Sequence, residues 1–264
     1  MTVETNTTLR QQARIQCRII WALTLREVIT RFGREGIGSL WLIIEPAIFI
    51  VGVMLIFPAI ESSSTYSIAE YLAVSYPTLQ FWRNGTGRVT KAIEINRALL
   101  HHQPIRPIDI IYSRILLEFS GAAGAFLILY LFCVVIGICQ WPADVLTMAF
   151  GYVLVIWFSI SFVMMMAALA ELSETIERLS HIIIYLMLPF SGVFIPLFAI
   201  PKYYRDILLK FPLVDTIEIF HRGYYGARIP TYFDVAYTIF TLLLFTLLSL
   251  SITNIAIRRA QTDR

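Results

Sequence analysis

Residues 110–138, 145–170 and 233–257 each run for at least 25 residues with no more than two charged side chains. An apolar stretch of about 18 residues or more reads as a membrane-crossing helix, because about 20 residues at about 1.5 Å each match a hydrocarbon core of roughly 30 Å. A water-soluble fold has nowhere to bury three such stretches. Composition agrees: 58% of the chain is hydrophobic, 15% is charged, and mean hydropathy is +0.71, against about 45–50% apolar and about 25% charged for soluble domains. The apolar runs leave no polar linker that would divide the 264 residues into separate domains.

Three weaker segments join these. A first span is expected from Ser39 to Ile60, interrupted by Glu45 and Pro46. A second, from Tyr66 to Val89, contains Glu70, Pro77, Gln80 and Arg83; it cannot face lipid all round and is expected to face the bundle or line a channel. A fifth, from His181 to Ile200, carries Pro189, Gly192 and Pro196, which predicts kinking or unwinding near its outer end. The fold class expected is an all-α polytopic membrane protein with six transmembrane helices. Residues 1–38 form an N-terminal region, 39–257 the membrane domain and 258–264 a tail.

An even number of spans puts both ends on one face. About 16 of the 21 basic residues lie in the N-terminal region, the link between spans two and three, the loop between spans four and five, and the tail. By the positive-inside rule both termini are cytoplasmic. The first 30 residues carry Arg10, Arg14, Arg18, Arg26 and Glu27 instead of a short apolar core, so no cleaved secretory signal is expected there. Arg10, Arg14 and Arg18 stand four apart on one helical face. This patterning fits an amphipathic helix lying in the headgroup region, with packing on a partner as the alternative.

The connection 201–231 is long yet rich in Tyr, Phe, Ile and Leu, and Pro201, Pro212 and Pro230 divide it into two short amphipathic pieces. Pieces of about ten residues cannot span and read as re-entrant or interfacial helices. The aromatic residues there read first as an interfacial belt. Tyr203, Tyr204, Phe211, Tyr224 and Tyr225 are also candidates for a periplasmic gate. Trp41, Phe81 and Trp82 are candidates for contact with a substrate along a channel, together with Glu45, an ionisable group inside a span, and Arg83.

The chain has no G-x-x-x-x-G-K-[ST], no H-E-x-x-H and no G-x-S-x-G, so no catalytic or nucleotide-hydrolysing machinery is expected in it. Cys17, Cys133 and Cys139 lack metal-ligand spacing and read as packing residues. His101 and His102 supply too few ligands for a metal site. Glu118 is expected to pair locally with Arg114. The small net charge of +3 gives no reason to expect nucleic acid.

The segment 31–46, RFGREGIGSLWLIIEP, resembles the approach to the first span in permeases of type-2 ABC exporters of surface polysaccharides, most like the capsular polysaccharide permeases of the KpsM type. Residues 96–114, NRALLHHQPIRPIDIIYSR, are similar to the family's cytoplasmic link between spans two and three, and FHRGYYG at 220–226 with YFDVAY at 232–237 to its run into the last span. His221 stands where Arg or Lys is expected in relatives. The resemblance implies a homodimer bound to two separate ATP-binding subunits, which hold the ATP and Mg, so the chain itself needs no cofactor. It implies export of a lipid-linked capsular polysaccharide across the inner membrane of a Gram-negative bacterium, with periplasmic and outer-membrane export proteins as further partners. The alternatives are an O-antigen or teichoic-acid permease and an intramembrane enzyme acting on a lipid-linked sugar.

Two further site assignments follow. The segment 92–103, with Ile93, Glu94, Ile95, Arg97, Leu99, Leu100 and His101, mixes apolar and charged side chains and is expected to dock as a short helix into the ATPase. Arg31 and Arg34, just before the first span, are expected to admit an anionic head of the substrate, because guanidinium pairs with phosphate or carboxylate in bidentate fashion.

Overall fold

The computed structural model describes residues 9–32, 41–56, 67–90, 92–96 and 105–262, and every regular element among them is helical. In chain order these are α1 (Leu9–Phe32), α2 (Trp41–Ile56), α3 (Ile68–Val89), α4 (Ala92–Ile95), α5 (Pro107–Val135), α6 (Val145–Leu172), α7 (Glu174–Phe190), a 3₁₀ turn (Leu197–Ala199), α8 (Lys202–Leu208), α9 (Pro212–Tyr225) and α10 (Val235–Thr262). Three are long and apolar enough to cross a membrane: Pro107–Val135, Val145–Leu172 and Val235–Arg259. Ile43–Val53 is a shorter apolar helical stretch.

Local sequence sets the helix ends. Ser67 caps α3 by accepting from the N–H groups of Ala69 and Glu70, and Asp144 caps α6 by accepting from those of Leu146 and Thr147. The Thr147 hydroxyl adds a third bond, and together these hold the Asp144 carboxyl below its usual range. Pro107 opens α5, and its Asp109 reaches back to the Arg106 N–H. At the far end of α5, Gly137 at φ 80° lets the chain reverse: the N–H of Ile138 donates to the Cys133 carbonyl and that of Gly137 to the Val134 carbonyl.

The fifth expected span is interrupted as its prolines foretold. At 17 residues α7 measures about 26 Å, and it stops at Phe190, before Gly192 at φ 78°. A Cβ at Gly192 would lie 3.0 Å from a Leu197 methyl, so both the turn and the space favour glycine. The chain then passes through the 3₁₀ turn to α8 and α9, the two proline-bounded pieces expected between Pro201 and Thr231.

At the centre, α6 meets α3, α9 and α10. The helix α9 runs antiparallel along the first half of α6, backbone against backbone. A Cβ at Gly151 would lie 2.9 Å from the Ile219 carbonyl carbon, and one at Gly223 would fall within the Met148 backbone. The N–H groups of Ala143 and Asp144 donate to the carbonyls of Tyr224 and Gly223. Small residues permit such closeness between membrane helices. The weakly hydrophobic α3 is buried at every residue from Ala69 to Trp82, which is why it can carry Glu70, Ser75, Thr78 and Gln80 inside the bundle. By contrast α10 leaves Phe240, Leu243, Leu244, Leu247 and Leu248 exposed, a face suited to lipid.

The N-terminal helix α1 packs along the start of α5. Gln16 donates to Asp109, Thr24 to the Ser113 carbonyl, and Glu27 pairs with Arg114 at 3.3 Å. Its opposite side leaves Arg10, Arg14 and Arg18 exposed with Trp21, Leu25 and Ile29.

Candidate functional site

A cavity of about 430 Å³ opens at one end of the bundle between α2, α3 and α7, within the range of about 300–1,000 Å³ usual for ligand sites. Its walls are Trp41 and Glu45 from α2, Arg83, Asn84, Gly87 and Arg88 from α3, and His181, Ile184 and Tyr185 from α7. Three of the expected substrate residues, Trp41, Glu45 and Arg83, therefore meet in one place.

The Arg83 guanidinium is held from three sides. It pairs with Glu45, donates to the Tyr76 hydroxyl at 2.9 Å, and its Nε donates to Asn84 Oδ1 at 3.3 Å. The Tyr76 ring stacks on Phe49 at 4.3 Å, so the phenol is itself fixed. The pair is only partly buried, with Arg83 18% and Glu45 28% exposed. One turn on, Arg88 pairs with Glu118 across to α5 at 2.9 Å. Arg114, four residues before Glu118 on α5, also reaches Glu27 and the Arg88 carbonyl. The cavity wall thus presents two guanidinium groups, each shared with a carboxylate, beside an imidazole and a phenol. Such a wall can bind an anion if the anion competes with those carboxylates.

Phe81 and Trp82 do not line this cavity. Phe81 packs edge-on to Phe119 of α5, and Trp82, 0% exposed, packs edge-on to Phe162 of α6. Arg88, His181 and Tyr185 were absent from the sequence-derived set. The pair at 181 and 185 stands at i and i+4 in an apolar segment, a polar stripe that could have marked them.

The remaining site residues fall elsewhere. Arg31 lies in the last turn of α1, and Arg34 lies outside the described residues. Of the segment 92–103, Ala92–Ile95 form α4, with Ile93 and Glu94 within it, Ile95 exposed and Asn96 donating back to the Ala92 carbonyl. Arg97, Leu99, Leu100 and His101 lie outside the described residues.

The aromatic residues expected at a periplasmic gate divide into two groups. Tyr203 and Tyr204 on α8 are 73% and 60% exposed, as a belt requires. Phe211 packs against Phe158. Tyr224 and Tyr225 are buried, and Tyr224 belongs to a polar knot at the end opposite the cavity: its hydroxyl donates to Glu70 at 2.8 Å and accepts from the Gln140 N–H, while Arg228 donates to the same Glu70 oxygen at 3.2 Å. Close by, Ser75 and His221 Nε2 share a buried hydrogen bond of 2.6 Å.

Together these features define a helical membrane protein with an ionic cavity at one end of its bundle. Residues 18–225 match the ABC-2 type transporter family. The chain is 32% identical over 246 residues to the capsule polysaccharide export inner-membrane protein BexB of Haemophilus influenzae, covering 92% of this chain and 93% of that one. It is 32% identical over 242 residues to the capsule polysaccharide export inner-membrane protein CtrC of Neisseria meningitidis serogroup B, covering 91% of each. It is 27% identical over 251 residues to the polysialic acid transport protein KpsM of Escherichia coli, covering 94% and 95%.

The chain belongs to the ABC-2 type transporter family, as a membrane permease subunit. Such subunits lack nucleotide-binding domains, so an ATPase partner is implied.

Proposed function

We propose that this chain is the membrane-spanning subunit of an exporter of lipid-linked capsular polysaccharide, moving it from cytoplasm to periplasm across the bacterial inner membrane. Two copies enclose the channel and work with two ATP-binding cassette subunits, which bind the ATP and Mg. The observation that carries this reading is the match along more than 90% of both chains to two proteins named for capsule polysaccharide export. An O-antigen or teichoic-acid substrate remains the alternative within the same architecture.

In this reading α2, α3, α5, α6, α7 with its broken outer end, and α10 are the six spans, and both termini are cytoplasmic. The cavity then opens at the cytoplasmic end, where Arg83 and Arg88 receive the anionic head of the substrate, and Arg31 and Arg34, before the first span in sequence, help to admit it. Trp41 offers an aromatic face to sugar. The segment from α4 to about residue 103 couples to the ATPase. The helices α8 and α9 lie near the periplasmic mouth without crossing the membrane, with Tyr203, Tyr204, Phe211, Tyr224 and Tyr225 around it, and α1 lies in the inner headgroup layer on its arginines. Periplasmic and outer-membrane export proteins complete the route.

The test is deletion of the gene with complementation, scored by surface polysaccharide and by co-purification of the ATPase encoded beside it. The expected result is polysaccharide trapped in the cytoplasm of the deletion strain and ATP turnover that depends on this chain. Unchanged surface polysaccharide in the deletion strain refutes the function.

A further inference from the structure

The outer end of α5 holds an arrangement that transport does not require. Cys133 and Cys139 are both buried, 3% and 4% exposed, in the same apolar cluster. The reversal at Gly137 folds them together. The Cys133 carbonyl accepts from the N–H of Ile138 at 2.9 Å and also from the N–H of Cys139 itself at 3.1 Å. Both thiols are free. A disulfide needs Cα atoms about 4.4–6.8 Å apart and side chains that converge. The backbone bond draws the two residues together, and both side chains turn into the same apolar cluster.

The turn is also mechanically placed. The residue after Cys139 is Gln140, whose carbonyl accepts from the Tyr130 hydroxyl and whose N–H donates to the Tyr224 hydroxyl. Through Tyr224 the turn is tied to Glu70 and Arg228. A covalent tie between Cys133 and Cys139 would fix the point where α5, α9 and the start of α3 are knotted.

We propose that Cys133 and Cys139 form a disulfide in the mature transporter. The inference rests on the orientation given under Proposed function, which places the loop between α5 and α6 in the periplasm, an oxidising compartment. The reaction is thiol–disulfide exchange with a periplasmic protein disulfide. One cysteine thiolate attacks that disulfide to give a mixed disulfide, and the second displaces it. The S–S bond forms here, the oxidant's S–S bond breaks, and its two sulfurs leave as thiols with the two electrons and two protons. The exchange occurs as the chain folds, before Tyr224 closes over the pair.

Free thiols are counted on full-length protein from cells quenched in acid, denatured and treated with a polyethylene-glycol maleimide that adds a visible mass per thiol. One addition, at Cys17, is expected without reductant, and three after reduction. Three are also expected without reductant from cells lacking the periplasmic thiol oxidase. Three additions from unreduced wild-type cells overturn the proposal. A second variant separates the causes: Trp141→Cys, at a side chain 71% exposed, in a chain whose native cysteines are serine. Labelling by a membrane-impermeant maleimide in intact cells leaves the orientation standing and the disulfide alone refuted. Labelling only after the inner membrane is opened shows that the orientation itself failed, and the proposal falls with it.

Discussion

The Glu45–Arg83 pair can be dissected by removing its charges singly and together. Truncating one partner of a fully buried pair costs about 3–5 kcal/mol, whereas exposed pairs contribute about 0–1 kcal/mol. At 28% and 18% exposure this pair lies between. After Glu45→Gln the guanidinium keeps Tyr76 and Asn84, so the loss should be about 1 kcal/mol. After Arg83→Gln the carboxylate loses the cation that neutralises it, and the loss should be about 2–3 kcal/mol. At about 2–4 °C per kcal/mol for a chain of this size, the purified complex should melt about 2–4 °C lower with the first change and about 4–12 °C lower with the second. The double substitution leaves no unpaired charge and should recover to within about 1 kcal/mol of the parent. Surface polysaccharide, measured beside melting temperature, separates the roles. If Arg83 receives an anion, Glu45→Gln exports well, while Arg83→Gln and the double variant both fail, although the double variant is stable. Recovery of both stability and export in the double variant would refute the binding role and leave the pair a tie between α2 and α3.

Gly223→Ala should cost about 3 kcal/mol or more, because its Cβ overlaps the Met148 backbone. Membrane levels of that protein should fall sharply. Those of Gly87→Ala, whose Cβ would meet His181 at 3.7 Å, should not. Lys210→Cys should react with an impermeant thiol reagent in whole cells if the α8–α9 region is periplasmic; reaction only after lysis overturns that topology. Leu99→Asp should abolish co-purification with the ATPase, and intact association removes the coupling assignment from that segment. The double change Arg31→Lys with Arg34→Lys should leave insertion and ATPase binding intact while reducing surface polysaccharide several-fold. Export at the parental level would make those arginines topological.

The long spans were legible because an apolar run of more than 20 residues has few other uses, and α5, α6 and α10 begin and end close to where hydropathy places them. The burial of α3 was legible from the cost of Glu70, Gln80 and Arg83 in lipid. The site was harder to read because neighbours in sequence point apart on a helix. Phe81, Trp82 and Arg83 are consecutive, yet they face α5, α6 and the cavity respectively. The partner of Arg83 stands 38 positions away on another helix, a pairing that no local pattern encodes. The proximity of Cys133 and Cys139 was hidden too, since the reversal depends on how Gly137 and the α5 terminus fold.

The close seating of α9 on α6 restricts how the half of the protein opposite the cavity can move. With glycine at both contacts and no side-chain cushion between the two backbones, sliding one helix past the other drives Met148 into Gly223 within a fraction of an ångström. The pair therefore translates or tilts as one rigid lever. The segment Ser191–Pro201 beyond α7 is seated on this lever and on α3: the Tyr71 hydroxyl donates to the Gly192 carbonyl at 2.6 Å, Val193 and Leu197 are buried, and a Cβ at Gly192 would lie 3.8 Å from Val214 of α9. A pull on α7 from the cavity end would therefore be passed through that seat to α3 and α9, while the α6–α9 lever keeps its shape as a fulcrum.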